Sequence, residues 1–370
     1  MATRRTLAAY RGVHAAAVSA ARRAGVVIAA ASVIAVGGLA THTWAAPATR
    51  AAIRTIPLRA GLTLVEAGAG KTADYEALYH IDAVNPDGIA ISLTTGPREF
   101  TVHRFVRRVD LEYAHRCLCS WTPGQPRVFA GSTAIGTSAA VIQDLRTRGS
   151  TLFVDMWQQP DAIPPYRLRT KQAAGTLLRL SSESQTMQMI VNDRLVQLPV
   201  MHAAGNFGDV KASFFWLDDP ANPLLVHGDV GGGGGRLVKI YTPGRDSVAE
   251  LEWQLQRGTT ATRYDIYFEP EQSSLLVESF AALAAIAQVL RRNPSWRLRI
   301  AVYTDNLGGW DANLRLARKR AIALAMTLTG RYGIASKRVQ IMGAGAADPV
   351  SGNLTVAGRA FNRRVVLSRF

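Results

Sequence analysis

From about Pro47 to Thr242, apolar and polar residues alternate in short runs broken by glycine, proline and aspartate. Gly88-Ile89-Ala90-Ile91-Ser92-Leu93, Thr101-Val102-His103-Arg104-Phe105-Val106, Met187-Gln188-Met189-Ile190-Val191 and Arg236-Leu237-Val238-Lys239-Ile240-Tyr241 are examples. A period of two puts every second side chain on one face, which predicts half-buried strands of an antiparallel sheet. Ser138 to Arg146 has the strongest helical character inside this region. Ser247-Val248-Ala249-Glu250 has the form of a capping box and predicts a helix to Arg257, stopped by Gly258. Thr259-Thr260-Ala261-Thr262 reads as a linker.

Beyond the linker the pattern changes in kind. A strand over Tyr264–Phe268 leads to a long helix from about Leu275 to Arg292, ended by Asn293-Pro294. A strand over Arg297–Tyr303, a helix from about Ala312 to Tyr332, a strand over Val339–Met342 and a last strand over Arg364–Arg369 follow. Strands that alternate with long helices require crossover connections, which place the helices on one face of a mixed sheet. The expected fold class is α+β, with a β-rich domain over residues 47–258 and a βαβαββ domain over 259–370.

The first 46 residues fit neither domain. Arg4, Arg5, Arg11, Arg22 and Arg23, with no acid among them, precede an uncharged run that starts at Ala24 and lasts to Thr49. Its apolar part, Ala24 to Ala40, is short and rich in alanine and glycine, and Thr43-Trp44-Ala45 supplies the small residues a signal peptidase needs. Residues 1–46 therefore read as a cleaved export signal, with an uncleaved membrane anchor as the alternative.

The chain carries a formal charge of +16. With the arginines of the signal removed, 38 basic residues face 27 acidic ones, a balance suited to anionic partners such as acidic lipid, cell wall or nucleic acid. The arginines are spread along the chain with no basic helix and no basic-aromatic stripe, so no nucleic-acid module is expected.

Two glycine loops invite a phosphate-binding reading and fail it. Val65-Glu66-Ala67-Gly68-Ala69-Gly70-Lys71-Thr72 has Val65 where the motif needs a glycine, and Ala73-Asp74-Tyr75-Glu76-Ala77 offers only a short helical hint after it. Gly231 to Gly235 lacks the lysine and hydroxyl residue altogether and reads as a hairpin loop. The only cysteines, Cys117 and Cys119, cannot hold a zinc ion by themselves, and either a local disulfide or two buried thiols fits their spacing. No metal and no cofactor are expected. A membrane barrel would need longer alternating strands than these, which proline interrupts, as in Pro160-Asp161-Ala162-Ile163-Pro164-Pro165.

The residues that carry chemistry lie in the last hundred. Asp305 follows a strand end, and Arg320 lies fifteen residues on, in a helix whose apolar stripe is Leu314, Ala321, Leu324 and Leu328. Asn313 and Arg320 are seven apart and fall on one side of that helix. A carboxylate and a guanidinium bordering one pocket match a zwitterion, Asp305 accepting from an ammonium and Arg320 forking onto a carboxylate. An internal salt bridge between the two is the structural alternative.

Thr304-Asp305-Asn306-Leu307-Gly308, with Asn313, Leu314, Leu316, Arg320-Ala321, Tyr332-Gly333-Ile334, Arg338, Gly343, Gly345, Pro349 and Gly358-Arg359-Ala360-Phe361-Asn362-Arg363-Arg364-Val365, resembles the OmpA-like peptidoglycan-binding domain. The resemblance spans about residues 264–370 and does not reach 47–258. It implies a ligand, the free zwitterionic end of diaminopimelate in a cell-wall stem peptide. It also implies Asp305 and Arg320 as main contacts, with Asn306 and Asn313 beside them and Arg363 nearby. Three positions depart from the family pattern: Val302-Tyr303 stands where Gly-His is usual, Ala317 replaces a common serine, and Glu269 and Glu271 add acid that could compete for Arg320.

The resulting expectation is a non-enzymatic envelope protein, periplasmic and attached to peptidoglycan, with an outer-membrane or envelope partner for the N-terminal part. The alternatives are an outer-membrane anchored barrel and an exported enzyme localised by its wall-binding domain. His80, Asp82, Asp155, His202 and Asp209 are the candidates for a site in that enzyme, and they show no triad or metal-ligand spacing.

Overall fold

The computed structural model describes residues 55–69, 73–95, 101–121, 123–160, 168–232 and 234–370. Residues 1–46, read above as an export signal, Gly70-Lys71-Thr72, Gly233 and most of the proline-rich run at 160–165 lie outside the described residues. Residues 54–370 form a single compact unit.

Twelve strands make the first sheet: β1 (Thr63–Gly68), β2 (Tyr75–Asn85), β3 (Gly88–Thr95), β4 (Thr101–Arg107), β5 (Arg116–Cys117), β6 (Ser150–Pro160), β7 (Leu168–Arg179), β8 (Gln185–Val191), β9 (Arg194–Phe207), β10 (Val210–Leu217), β11 (Leu225–Val230) and β12 (Arg236–Tyr241). Two helices interrupt them, α1 (Arg108–Tyr113) and α2 (Ala139–Thr147), the second capped by the Ser138 hydroxyl on the Val141 amide. The strand order runs β4-β3-β2-β1-β12-β11-β10-β9-β7-β6-β5, and β8 pairs with both β12 and β9. The second pairing of β8 closes a ring of five strands, β8 to β12, while β4 and β5 stand at the two ends of the order. The apolar face of α2 (Val141, Ile142, Leu145) packs on Phe153, Leu177, Phe214 and Trp216.

Each strand read from period-two alternation is present, but the helical hint at Ala73–Ala77 is not. β2 starts at Tyr75 and pairs antiparallel with β1, so the glycine loop joins two strands rather than a strand and a helix. Cys117 and Cys119 form a disulfide, with Cα atoms 5.4 Å apart. No helix among the described residues is long and apolar enough to cross a membrane.

The second sheet takes α3 (Ser247–Gly258), β13 (Thr260–Arg263), α4 (Ser279–Arg292), β14 (Leu298–Tyr303), α5 (Trp310–Met326), β15 (Val339–Gly345), α6 (Val356–Asn362) and β16 (Val365–Arg369). Its order is β13-β16-β14-β15, mixed because β14 and β15 run parallel while the other pairs are antiparallel. Helices α3, α4 and α5 bury Leu251, Leu255, Leu283, Ile286, Leu290, Ala321 and Leu324 against Ile300, Val302 and Leu367 of the sheet. A β-carbon on Gly343 would lie 2.5 Å from the Arg318 amide nitrogen, so only glycine lets β15 approach α5 this closely.

Four boundaries differ from the sequence expectation. The run 259–262, taken as linker, is mostly strand β13, paired with β16. Tyr264–Phe268, taken as a strand, leaves the sheet because its aromatic side chains are claimed elsewhere: Tyr264 and Tyr267 are buried against the first sheet. The cap of α3 is Asp246, whose carboxylate accepts from the Val248 and Ala249 amides, one residue before the expected Ser247. Leu314 is 41% exposed and Ala317 takes its place in the buried stripe of α5, whose last turn widens into a π-helical segment, Thr327–Arg331.

The two sheets share a third apolar cluster, in which Val65, Leu78, Ile190 and Val238 meet Tyr264, Tyr267, Ala360 and Phe361. Beside it, the β8–β9 hairpin turns on Asn192 (φ 50°) and Asp193 (φ 62°), the left-handed pair that a two-residue turn requires. The Asp193 carboxylate is buried and accepts from the Tyr264 amide (2.8 Å), Arg245 (2.5 Å) and Arg263 (3.3 Å).

Candidate ligand-binding site

A cavity of about 160 Å³ opens where β14 ends. One water needs about 10–15 Å³ of such space, so roughly ten waters' worth of room accepts the end of an amino acid but not a disaccharide. Asp305, Asn313, Arg320 and Arg363 all line it. The chain leaves β14 through Thr304, whose amide bonds the Gly345 carbonyl at the end of β15, and this fixes Asp305 at the cavity floor.

Arg320 reaches the cavity from the second half of α5 and is only 9% exposed. Its Nε donates to the Gln272 carbonyl (2.8 Å) and one Nη to the Glu269 carbonyl (3.3 Å), and the guanidinium lies over the Phe268 ring at 4.8 Å. No carboxylate of the described residues pairs with it. Three of its five N–H donors are left for a ligand. Burial, reinforced by the neighbouring Arg363 charge, pushes the guanidinium down to about 10, the mark of a cation short of a counter-charge.

Asp305 does not bridge to Arg320. One oxygen accepts from the Leu307 amide (3.0 Å) and the other from Arg363 Nη1 (2.8 Å). A carboxylate has about four acceptor positions, so capacity remains for an ammonium. Asn313 donates to the Leu307 carbonyl (2.7 Å) and so shapes the loop that holds Asp305. Asn306 is exposed and stands outside the cavity lining.

These positions fall inside a segment with known relatives. Residues 267–363 are an OmpA family domain. No family model matches the residues before it. Within this domain, Probable lipoprotein YiaD of Escherichia coli is 33% identical over 104 residues, 28% of this chain and 47% of that protein. Peptidoglycan-binding protein ArfA of Mycobacterium bovis is 36% identical over 100 residues, 27% of this chain and 30% of that protein. The matched segment thus spans less than half the length of either relative. The crystal structure of the peptidoglycan-associated lipoprotein from Burkholderia pseudomallei aligns at 30% identity with a TM-score of 0.27, covering 28% of this chain and 88% of that one.

Departures from the OmpA pattern now have a structural account. Tyr303 lines the cavity and stacks beneath Arg364, 3.8 Å from the ring centroid. Glu269 and Glu271 do not pair with Arg320 through their side chains. The turn they sit in, with Glu271 at φ 56°, instead aims the Glu269 and Gln272 carbonyls at it. Ala317 is fully buried in the helix-sheet core.

Sequence reasoning missed the first-sheet side of the cavity. Asp74 and Glu76, from the start of β2, and Lys239 of β12 line it too. Glu76 bonds Lys239 (2.7 Å) and Arg363 (2.8 Å). Burial would raise the Glu76 carboxyl, but those two cations outweigh it and hold the group at about 2. The only signal in the sequence was an Asp-x-Glu pair directly after the glycine loop.

The five candidates for an enzyme site do not converge. His80 bonds Thr63, Asp82 accepts from Ser92, and His202 bonds Ser213 and stacks on Phe215. Asp209 is exposed in the β9–β10 turn. Asp155 is mostly buried on β6, and burial raises its carboxyl to about 6 against a weaker opposing backbone hydrogen bond. A carboxyl raised on folding stabilises while protonated, so stability is expected to fall as pH rises from about 4 through 6. Asp155→Asn should remove that slope and gain on the order of 2 kcal/mol at pH 7, read from thermal unfolding at pH 4.5 and pH 7.

Proposed function

We propose that this chain is a non-enzymatic cell-envelope protein of the periplasm that holds peptidoglycan by the zwitterionic end of diaminopimelate. Arg320 takes the carboxylate and Asp305 the ammonium. The observation that carries this reading is a buried guanidinium with three donors left and no carboxylate partner among the described residues, on the same cavity as an acceptor with spare capacity. The relative named as a peptidoglycan-binding protein supports the wall-binding part of this reading. The first sheet is left for an outer-membrane or other envelope partner.

Two or three charge-assisted bonds, each worth about 1.5–3 kcal/mol, support binding on the order of micromolar. The test is sedimentation of the full chain with purified sacculi in competition with free diaminopimelate and with pimelate, which keeps both carboxylates and lacks the ammonium groups. Diaminopimelate is expected to displace the chain at least tenfold more readily. Equal displacement by the two, or none by diaminopimelate, rules the reading out.

A further inference from the structure

The cavity is built by both sheets, and the first sheet's share is acidic. Asp74 takes Arg359 in a two-point grip, at 2.7 and 2.9 Å, and approaches Arg363 Nη1 at 3.4 Å. Glu76 takes Arg363 Nη2 at 2.8 Å. With Asp305 on Nη1, the Arg363 fork is filled by three carboxylates, two of them from outside the OmpA family domain. Glu76 and Asp305 raise the Arg363 guanidinium against the cost of its burial, the opposite of what Arg320 experiences in the same cavity.

Three arginines line the pocket and stand in different states, Arg364 being turned to the Asn362 and Asp348 carbonyls and the Tyr303 ring. Arg320 is bonded by neutral carbonyls and open to an anion. Arg363 is already neutralised. A ligand bringing one carboxylate and one ammonium fits this arrangement, because Arg320 and Asp305 each have capacity left. A ligand whose end carries a carboxylate without an ammonium brings uncompensated negative charge up to Asp74, Glu76 and Asp305, and Arg363 between them is already taken, so like charges this close in a partly desolvated site are strongly disfavoured.

Resting on the function proposed above, we propose that Asp74 and Glu76 are specificity-determining residues of the pocket. They occupy Arg359 and Arg363 as internal substitutes for a carboxylate, and so restrict the site to zwitterionic ends and reject ends that carry a carboxylate without an ammonium. The β-rich region then sets the charge selectivity of a pocket whose family residues all lie more than 180 positions later in the chain.

The experiment compares Asp74→Asn and Glu76→Gln with the wild-type full chain in the sacculus competition. The quantity read is the ratio of pimelate to diaminopimelate concentrations at half displacement. Loosening the hold on Arg363 is expected to lower that ratio at least tenfold in Glu76→Gln and about threefold in Asp74→Asn, where Glu76 and Asp305 still hold Arg363. Thermal unfolding of each variant checks that it is folded, and Asp74→Asn decides the matter if Glu76→Gln, which strips the buried Lys239 of its partner, does not fold. An unchanged ratio in the folded variants overturns this inference and leaves the proposed function standing. Wild-type chain that diaminopimelate does not displace overturns both.

Discussion

Arg320→Met is expected to abolish sedimentation with sacculi while the chain stays folded. The variant removes the donors aimed into the cavity, and two charge-assisted bonds to a carboxylate account for about a hundredfold or more in affinity. Its effect on stability is small because two large contributions oppose each other. Burial lowers the Arg320 guanidinium well below its ordinary value, to about 10, a cost on the order of 3 kcal/mol that methionine does not carry. The bonds to the Gln272 and Glu269 carbonyls are lost in exchange. Asp305→Asn keeps an acceptor for the Leu307 amide but weakens both the ammonium side and the ion pair with Arg363, so a roughly tenfold loss is expected. Wild-type sedimentation by both variants at moderate salt would remove the pair from the site.

Asp193→Ala should be the most destabilising single change in the chain, by about 3–5 kcal/mol, which for a unit of this size lowers the melting temperature by roughly 10 °C. The carboxylate is buried and gathers the Tyr264 amide with Arg245 and Arg263, so its removal leaves buried cations short of a partner. Alanine also fits poorly at φ 62°, where asparagine and aspartate are tolerated. Asp193→Asn separates the two effects: it keeps the turn and an acceptor for Tyr264 and loses only the charge. If the alanine variant melts within 2 °C of wild type, the hairpin is not the latch between the sheets.

Periodicity revealed elements wherever one face is buried and the other wet. The α5 stripe through Ala321, Leu324 and Leu328 and the run of β4 are of this kind, whereas β12 buries Leu237, Val238, Lys239 and Ile240 in a row. It failed where a segment's partner is distant. β13 has little apolar signal of its own, and its strand character comes from pairing Thr260 with Ser368 and Ala261 with Leu367. Tyr264–Phe268 carries a strong signal that reflects contact with the other sheet rather than strand pairing. The cavity divides the same way. Asp305, Asn313, Arg320 and Arg363 were readable because they lie within one local unit, whereas Glu76 meets Arg363 across 287 positions, a proximity that local spacing does not encode.

Because β13 replaces the expected linker, no slack separates the sheets. A flexible leash would let a wall-bound head swivel independently of whatever the β-rich part grasps. Here the contact with the murein and the contact with an envelope partner would sit at a set distance and angle, as on a strut. On the proposed function, the molecule would pass sideways load between the two layers instead of merely limiting how far apart they drift.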